Sequence, residues 1–329
     1  MLRLVALAAA MVLGWATLEL RSVDAAPAAT PVIDVDGGVP RTGRAVRAAI
    51  TKRGLDGHVW LGKLRSVGGQ RDTLVYVPRG LDPTRTIELI VYMEGHGSFA
   101  DDAMGRRHVA SIARLRGNSI YVAPDAPSSS HGSPKARTPY WQRGCAVHRC
   151  AGGHAEPGDF IAFLGDVRAR IATMTGVEPA ALDVRLSLIG FSNGGKGIVN
   201  AIAQLTATGF MDGVHRVRMA DVIFADANYG STWLDDTWRV LATRQESPHL
   251  TILVGDGSFT GARTERSNRR RAAAFWSVAA PGASPPAAGR ATGAPRLRLI
   301  PLRGGHDAIG DAAVDFLADP AEAVAATSS

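Results

Sequence analysis

Cysteine is nearly absent from this 329-residue chain: Cys145 and Cys150, in Cys-Ala-Val-His-Arg-Cys, are the only two. In an exported protein so close a pair is most simply a small-loop disulfide. A metal site built from Cys145, Cys150, His148 and His154 would be too compressed for a usual zinc knuckle, so no metal is expected. Long runs of one charge are also missing, apart from Arg269-Arg270-Arg271. With no zinc-finger spacing and no RNP-type aromatic motif, nucleic acid is not an expected partner. The chain has no Walker-type loop, no H-E-x-x-H and no G-x-G-x-x-G after a strand, so no cofactor is expected. No internal repeat is apparent.

The longest apolar stretch, Leu4 to Leu18, falls short of the ~20 residues a spanning helix needs, and Glu19 and Arg21 close it. Preceded by Arg3 and followed by small residues, it reads as an export signal over residues 1–25, cleaved after Ala25 or after Ala28. Export predicts a secreted or periplasmic protein. The formal net charge of +7 survives that cleavage, because Arg3, Arg21, Glu19 and Asp24 cancel. An anionic cell-envelope surface is a candidate partner for such a charge.

The remaining length, with 46% hydrophobic residues overall, suits a single α/β domain over residues 46–329 behind an Ala/Pro/Gly-rich leader at 26–45. Apolar runs predict strands at Gln70–Val77, Ile87–Met93, Ser119–Ala123, Arg185–Ile189, Asp221–Ala225, Leu250–Val254 and Leu297–Pro301. Helical patterns fall at Gly158–Met174, Gly195–Thr206 and Arg266–Val278. This alternation predicts a mostly parallel central sheet with helices on both faces. Residues 128–157 interrupt it as a long insertion, a candidate lid or substrate platform.

One run ends abruptly: Leu186-Ser187-Leu188-Ile189-Gly190-Phe191-Ser192-Asn193-Gly194-Gly195. A strand, a tight turn and a helix start present a serine hydroxyl as a nucleophile, and glycines at 190 and 194 remove the collisions such a turn creates. Glycine is abundant here, 37 residues, so the pattern needs its context. In open α/β sheets that context is the other strand ends. Glu94-Gly95-His96-Gly97-Ser98 follows an early strand, where Gly97 or Ser98 would supply a second oxyanion amide beside that of Asn193. Arg303-Gly304-Gly305-His306 follows the last strand, which makes His306 the candidate base. Two aspartates compete for the third role. Asp256, in Gly255-Asp256-Gly257, holds the commoner position and is the first choice; Asp226, after the preceding strand, is the alternative.

In these residues the chain resembles the α/β-hydrolase superfamily, from about residue 70 to 317. Gly190-Phe191-Ser192-Asn193-Gly194 matches its nucleophile elbow, His96-Gly97 its oxyanion turn, and Gly305-His306 its base. The order serine, aspartate, histidine matches as well. Gly-Phe-Ser-Asn-Gly-Gly with Asp159-Phe160-Ile161 is similar to secreted feruloyl esterases and polyhydroxybutyrate depolymerases, whereas Glu94-Gly95 and the turn at 225–230 depart from them. The resemblance implies an α/β-hydrolase fold and cleavage of a small or polymeric ester through an acyl-enzyme on Ser192. A peptidase or amidase, an acyltransferase and a non-catalytic envelope-binding protein are the alternatives. His96, Trp141, Tyr229 and Trp233 are the candidate substrate contacts.

Overall fold

The apolar runs assemble into one sheet. The computed structural model describes residues 34–35, 57–64, 66, 71–95, 108, 111, 115, 118–124, 141, 159–208, 218–227, 232–243, 248–256, 263–280 and 296–319. Its strands are β1 (Asp34–Val35), β2 (Gly57–Leu64), β3 (Arg71–Pro78), β4 (Ile87–Met93), β5 (Ser119–Pro124), β6 (Val184–Phe191), β7 (Arg218–Ala225), β8 (His249–Gly255) and β9 (Leu297–Leu302). They hydrogen-bond in the order β1-β2-β3-β5-β4-β6-β7-β8-β9. Only β3 runs against its neighbours; every pairing from β5 and β4 to β9 is parallel.

Parallel strands covered on both faces need side chains that are apolar in both directions, and β4 and β5 are buried at nearly every position. Val91, Leu188, Val222 and Ile252 point to one face, Ile90, Ile189, Ile223 and Leu253 to the other. The helices α1 (Phe160–Thr175), α2 (Gly194–Ala207), α3 (Trp233–Leu241) and α4 (Arg263–Ala279) cover the first face. On the second lies α5 (His306–Ala318), which places Ile309 and Ala313 against it. His108 is buried there too, its ring edge-on to Tyr92 at 4.6 Å and its Nε2 3.3 Å from Asp311 of α5.

All seven expected strands are present, with boundaries within three residues of those expected. Five described elements were not anticipated, the short 3₁₀ helix Pro179–Ala181 among them. Asp34 and Val35, inside the expected leader, pair with Trp60 and Leu61 of β2, whose own sequence carries two glycines and does not alternate. Helices α3 and α5 lie outside the three helical patterns expected. Helix α1 shows why its start was legible. The Asp159 carboxylate accepts from the amides of Ile161 at 2.8 Å and Ala162 at 3.3 Å, and Gly176 at φ 73° ends the helix.

Between two interior strands, Asp221 of β7 lies beside His249 of β8, with Oδ1 to Nδ1 at 3.4 Å. Burial pushes the Asp221 carboxyl above its ordinary value, with Glu88 adding to the rise, while His249, Arg298 and Arg185 oppose it. A carboxyl raised in the folded state binds its proton more tightly there than in the unfolded chain. Stability from this group is therefore complete below the unfolded value and is lost as pH climbs through the folded one. Asp221→Asn should remove that loss, so its Tm should gain on the wild type as pH rises above about 4, the ordinary carboxylate value. Thermal melts across that range check this; a gap that does not change with pH would contradict it.

Candidate active site

The functional side chains collect where β6, β7 and β9 end. Between Phe191 and Gly194 the chain reverses through Ser192, which has φ 54° and is 8% exposed. Holding a non-glycine residue in that left-handed region costs about 1–3 kcal/mol, so the surroundings must over-determine it. They do so through backbone. The Ser192 amide donates to the Ala225 carbonyl at 3.1 Å, and the Gly195 amide donates back to the Ser192 carbonyl at 3.2 Å. A Cβ on Gly190 would come within 2.8 Å of the Gly194 backbone, the collision foreseen from the sequence. Asn193 then leads into α2, whose N-terminal amides and positive dipole end lie beside the serine.

His306 is the first residue of α5, reached from β9 through Gly304 at φ 125°. Its Nδ1–H donates to Oδ2 of Asp226 at 2.5 Å. On its other side the imidazole packs against the Phe191 ring, with centroids 4.6 Å apart, so the residue before Ser192 also orients the ring of His306. Asp226 follows β7 directly, is fully buried and has φ 44°. Its amide donates to the Leu253 carbonyl at 2.9 Å. The Nδ2 of Asn268, buried on α4, donates to the Asp226 carbonyl at 2.8 Å and to its Oδ1 at 2.9 Å.

The carboxylate beside His306 is thus Asp226, and the first choice, Asp256, is corrected. Asp256 follows β8 directly, with its amide on the Leu302 carbonyl at 2.8 Å and its Oδ2 4.0 Å from Arg303 Nε. The reason is the placement of α5, which packs on β6, β7 and β8 and has its first residue, His306, at the end of β7.

Trp141 is corrected too, from substrate wall to core. It is 1% exposed, its ring stands 4.6 Å from Phe160 and 5.2 Å from Phe163, and its carbonyl accepts from Gln204 Nε2 at 2.6 Å. Two phenylalanines one helical turn apart on α1 offer that indole a dry slot. Trp233 opens α3 half-buried, with the Lys196 ammonium of α2 5.9 Å from its ring centroid. His96, Gly97, Ser98, Tyr229, Cys145 and Cys150 lie outside the described residues, as does the 128–157 insertion apart from Trp141. Among the described residues no group of three or more His, Cys, Asp or Glu is arranged to hold a metal.

Asn268 was not anticipated, though the sequence carried a signal. It shares the spacing of Ala272, Phe275 and Trp276, which form the buried face of an otherwise arginine-rich helix. An amide on an apolar helical face needs a buried partner.

The strand order, the serine elbow after β6 and the histidine after the last strand together make an α/β-hydrolase fold. No family model matches the chain, and no curated protein does. Several solved structures are similar to it. The esterase LipW from Mycobacterium marinum is 14% identical, with 86% of each chain covered and a TM-score of 0.42. The ester-hydrolase EH1AB1 from the metagenome of Lake Arreo is 15% identical, over 88% of this chain and 92% of that one, at 0.42. The enterobactin and salmochelin hydrolase IroE is 16% identical, over 83% of this chain and 99% of that one, at 0.44.

Proposed function

We propose that the protein is a serine hydrolase that cleaves carboxylic esters through an acyl-enzyme on Ser192. The observation that carries this reading is the Nδ1–H bond from His306 to the buried Asp226, made on the same sheet edge as a serine held at φ 54°. With its Nδ1 proton committed to Asp226, the imidazole has Nε2 as its basic nitrogen.

In this reading Ser192 Oγ adds to the ester carbonyl carbon while its proton passes to His306 Nε2. The oxyanion is held by the Asn193 amide and by that of Gly97 or Ser98. Collapse breaks the ester bond, and the leaving alkoxide takes the proton from Nε2. Water then repeats the sequence on the acyl-enzyme, returning Ser192 and releasing the acid. The carboxylate of Asp226 stabilises the imidazolium formed in both halves. Water is the sole co-reactant, so the cycle balances without a cofactor.

The compartment belongs to the same reading. An export signal at residues 1–25 and a Cys145–Cys150 disulfide suit a secreted or periplasmic enzyme, and a net charge of +7 suits an anionic envelope surface.

An alkyl fluorophosphonate probe tests the proposal, because only an activated serine reacts with it. The wild-type protein should label stoichiometrically and hydrolyse short p-nitrophenyl esters, and Ser192→Ala should do neither. A folded wild type that fails to label would sink the enzyme reading and favour a binding protein on the same fold.

A further inference from the structure

We infer that Asn268 is a positioning residue for the acid of this site, a neutral donor that divides the two oxygens of Asp226 between itself and His306. The inference rests on the reading of Asp226 and His306 as acid and base. Both N–H bonds of the Asn268 amide nitrogen go to one residue, at 2.8 Å to the Asp226 carbonyl and 2.9 Å to its Oδ1. Oδ2 is left for His306 Nδ1 at 2.5 Å. Asn268 and Asp226 are both fully buried.

Two consequences follow from this clamp. A carboxylate hinged at a left-handed φ of 44° needs something to hold its backbone and its head group together, and one amide spanning carbonyl and Oδ1 does both. The second is electrostatic. A buried carboxylate needs donors to remain ionised, yet an arginine or lysine in this place would neutralise it and compete with the imidazolium. An asparagine donates without adding charge, so the full negative charge of Asp226 stays available to His306.

Removing the donor makes the Asp226–His306 pair bind a proton more readily, because the anionic carboxylate loses one of its stabilising bonds. Asn268→Leu, similar in volume and without a donor, should lower kcat on a short p-nitrophenyl ester by about 10-fold to 100-fold with KM within about twofold. The acid limb of its kcat/KM profile should move up by about 0.5 to 1 pH unit. A residue that only packed the core would lower Tm and the active fraction, and would leave that limb in place. Asn268→Ala, smaller and also without a donor, carries the same test if the leucine variant does not fold. A wild-type kcat and an unmoved acid limb in whichever variant folds would overturn the inference. Failure of the wild type to label with fluorophosphonate would instead overturn the reading beneath it, so the two failures are distinct.

Discussion

Asp226→Asn is expected to lower kcat toward a short p-nitrophenyl ester by about 10⁴-fold, whereas Asp256→Asn should leave it within about twofold. The size of the first effect comes from a tautomer. In the variant the position of Oδ1 still faces the donating Nδ2 of Asn268, so the new amide keeps its oxygen there. Its NH₂ group then occupies the place of Oδ2 and points at His306 Nδ1. Nδ1 must accept rather than donate, the ring proton moves to Nε2, and the base can no longer take a proton from Ser192. Asp256 has no such lever. Its Oδ2 stands 4.0 Å from Nε of Arg303, whose side chain is 59% exposed, a pair worth little in solvent. Steady-state kinetics on the two purified variants decide the matter. Loss of comparable size in Asp256→Asn would return the acid to that position and void the assignment.

Gly194→Ala should cost on the order of 3 kcal/mol or more, lowering Tm by roughly 5–10 °C. The added Cβ would stand 2.0 Å from the Met93 carbonyl oxygen and 2.8 Å from its carbon. Neither atom can yield, because Met93 ends β4 in the middle of the sheet, bonded between β5 and β6. Relief must come from shifting α2 or unwinding the elbow, and either displaces Ser192, so activity should fall along with stability. Gly165→Ala is the control. An added methyl there meets nothing within 4 Å on the exposed side of α1, and alanine should raise helix stability by about 1 kcal/mol. Parallel melts of the two variants by calorimetry would check the pair. Equal Tm values would refute the close-packed elbow.

Ser192 and His306 were legible in the sequence because each is announced locally, by an apolar run that stops at glycines. The choice between Asp226 and Asp256 was not, since both aspartates follow apolar strands and both sit in turns. What separates them is the path of α5 over β7, a contact between residues some 80 positions apart. Trp141 misled for a related reason: the sequence around it carries no apolar periodicity, and its burial comes from Phe160 and Phe163 on a helix beyond the insertion. Strand β2 was missed because glycines at 57 and 62 break its pattern, and partnership with β1 and β3 supplies what its sequence does not. Asn268 shows the converse, a residue whose address was visible in its helical spacing although its task was not.

The strand ends that carry the site are tied to one another by main-chain hydrogen bonds, Ser192 to Ala225, Asp226 to Leu253 and Asp256 to Leu302. A seam of this kind has no local hinge between serine and acid, and neither can drift from the other unless neighbouring parallel strands come apart. On the proposed reading, catalytic competence is then expected to be an all-or-none property of the sheet, lost as the central strands come apart.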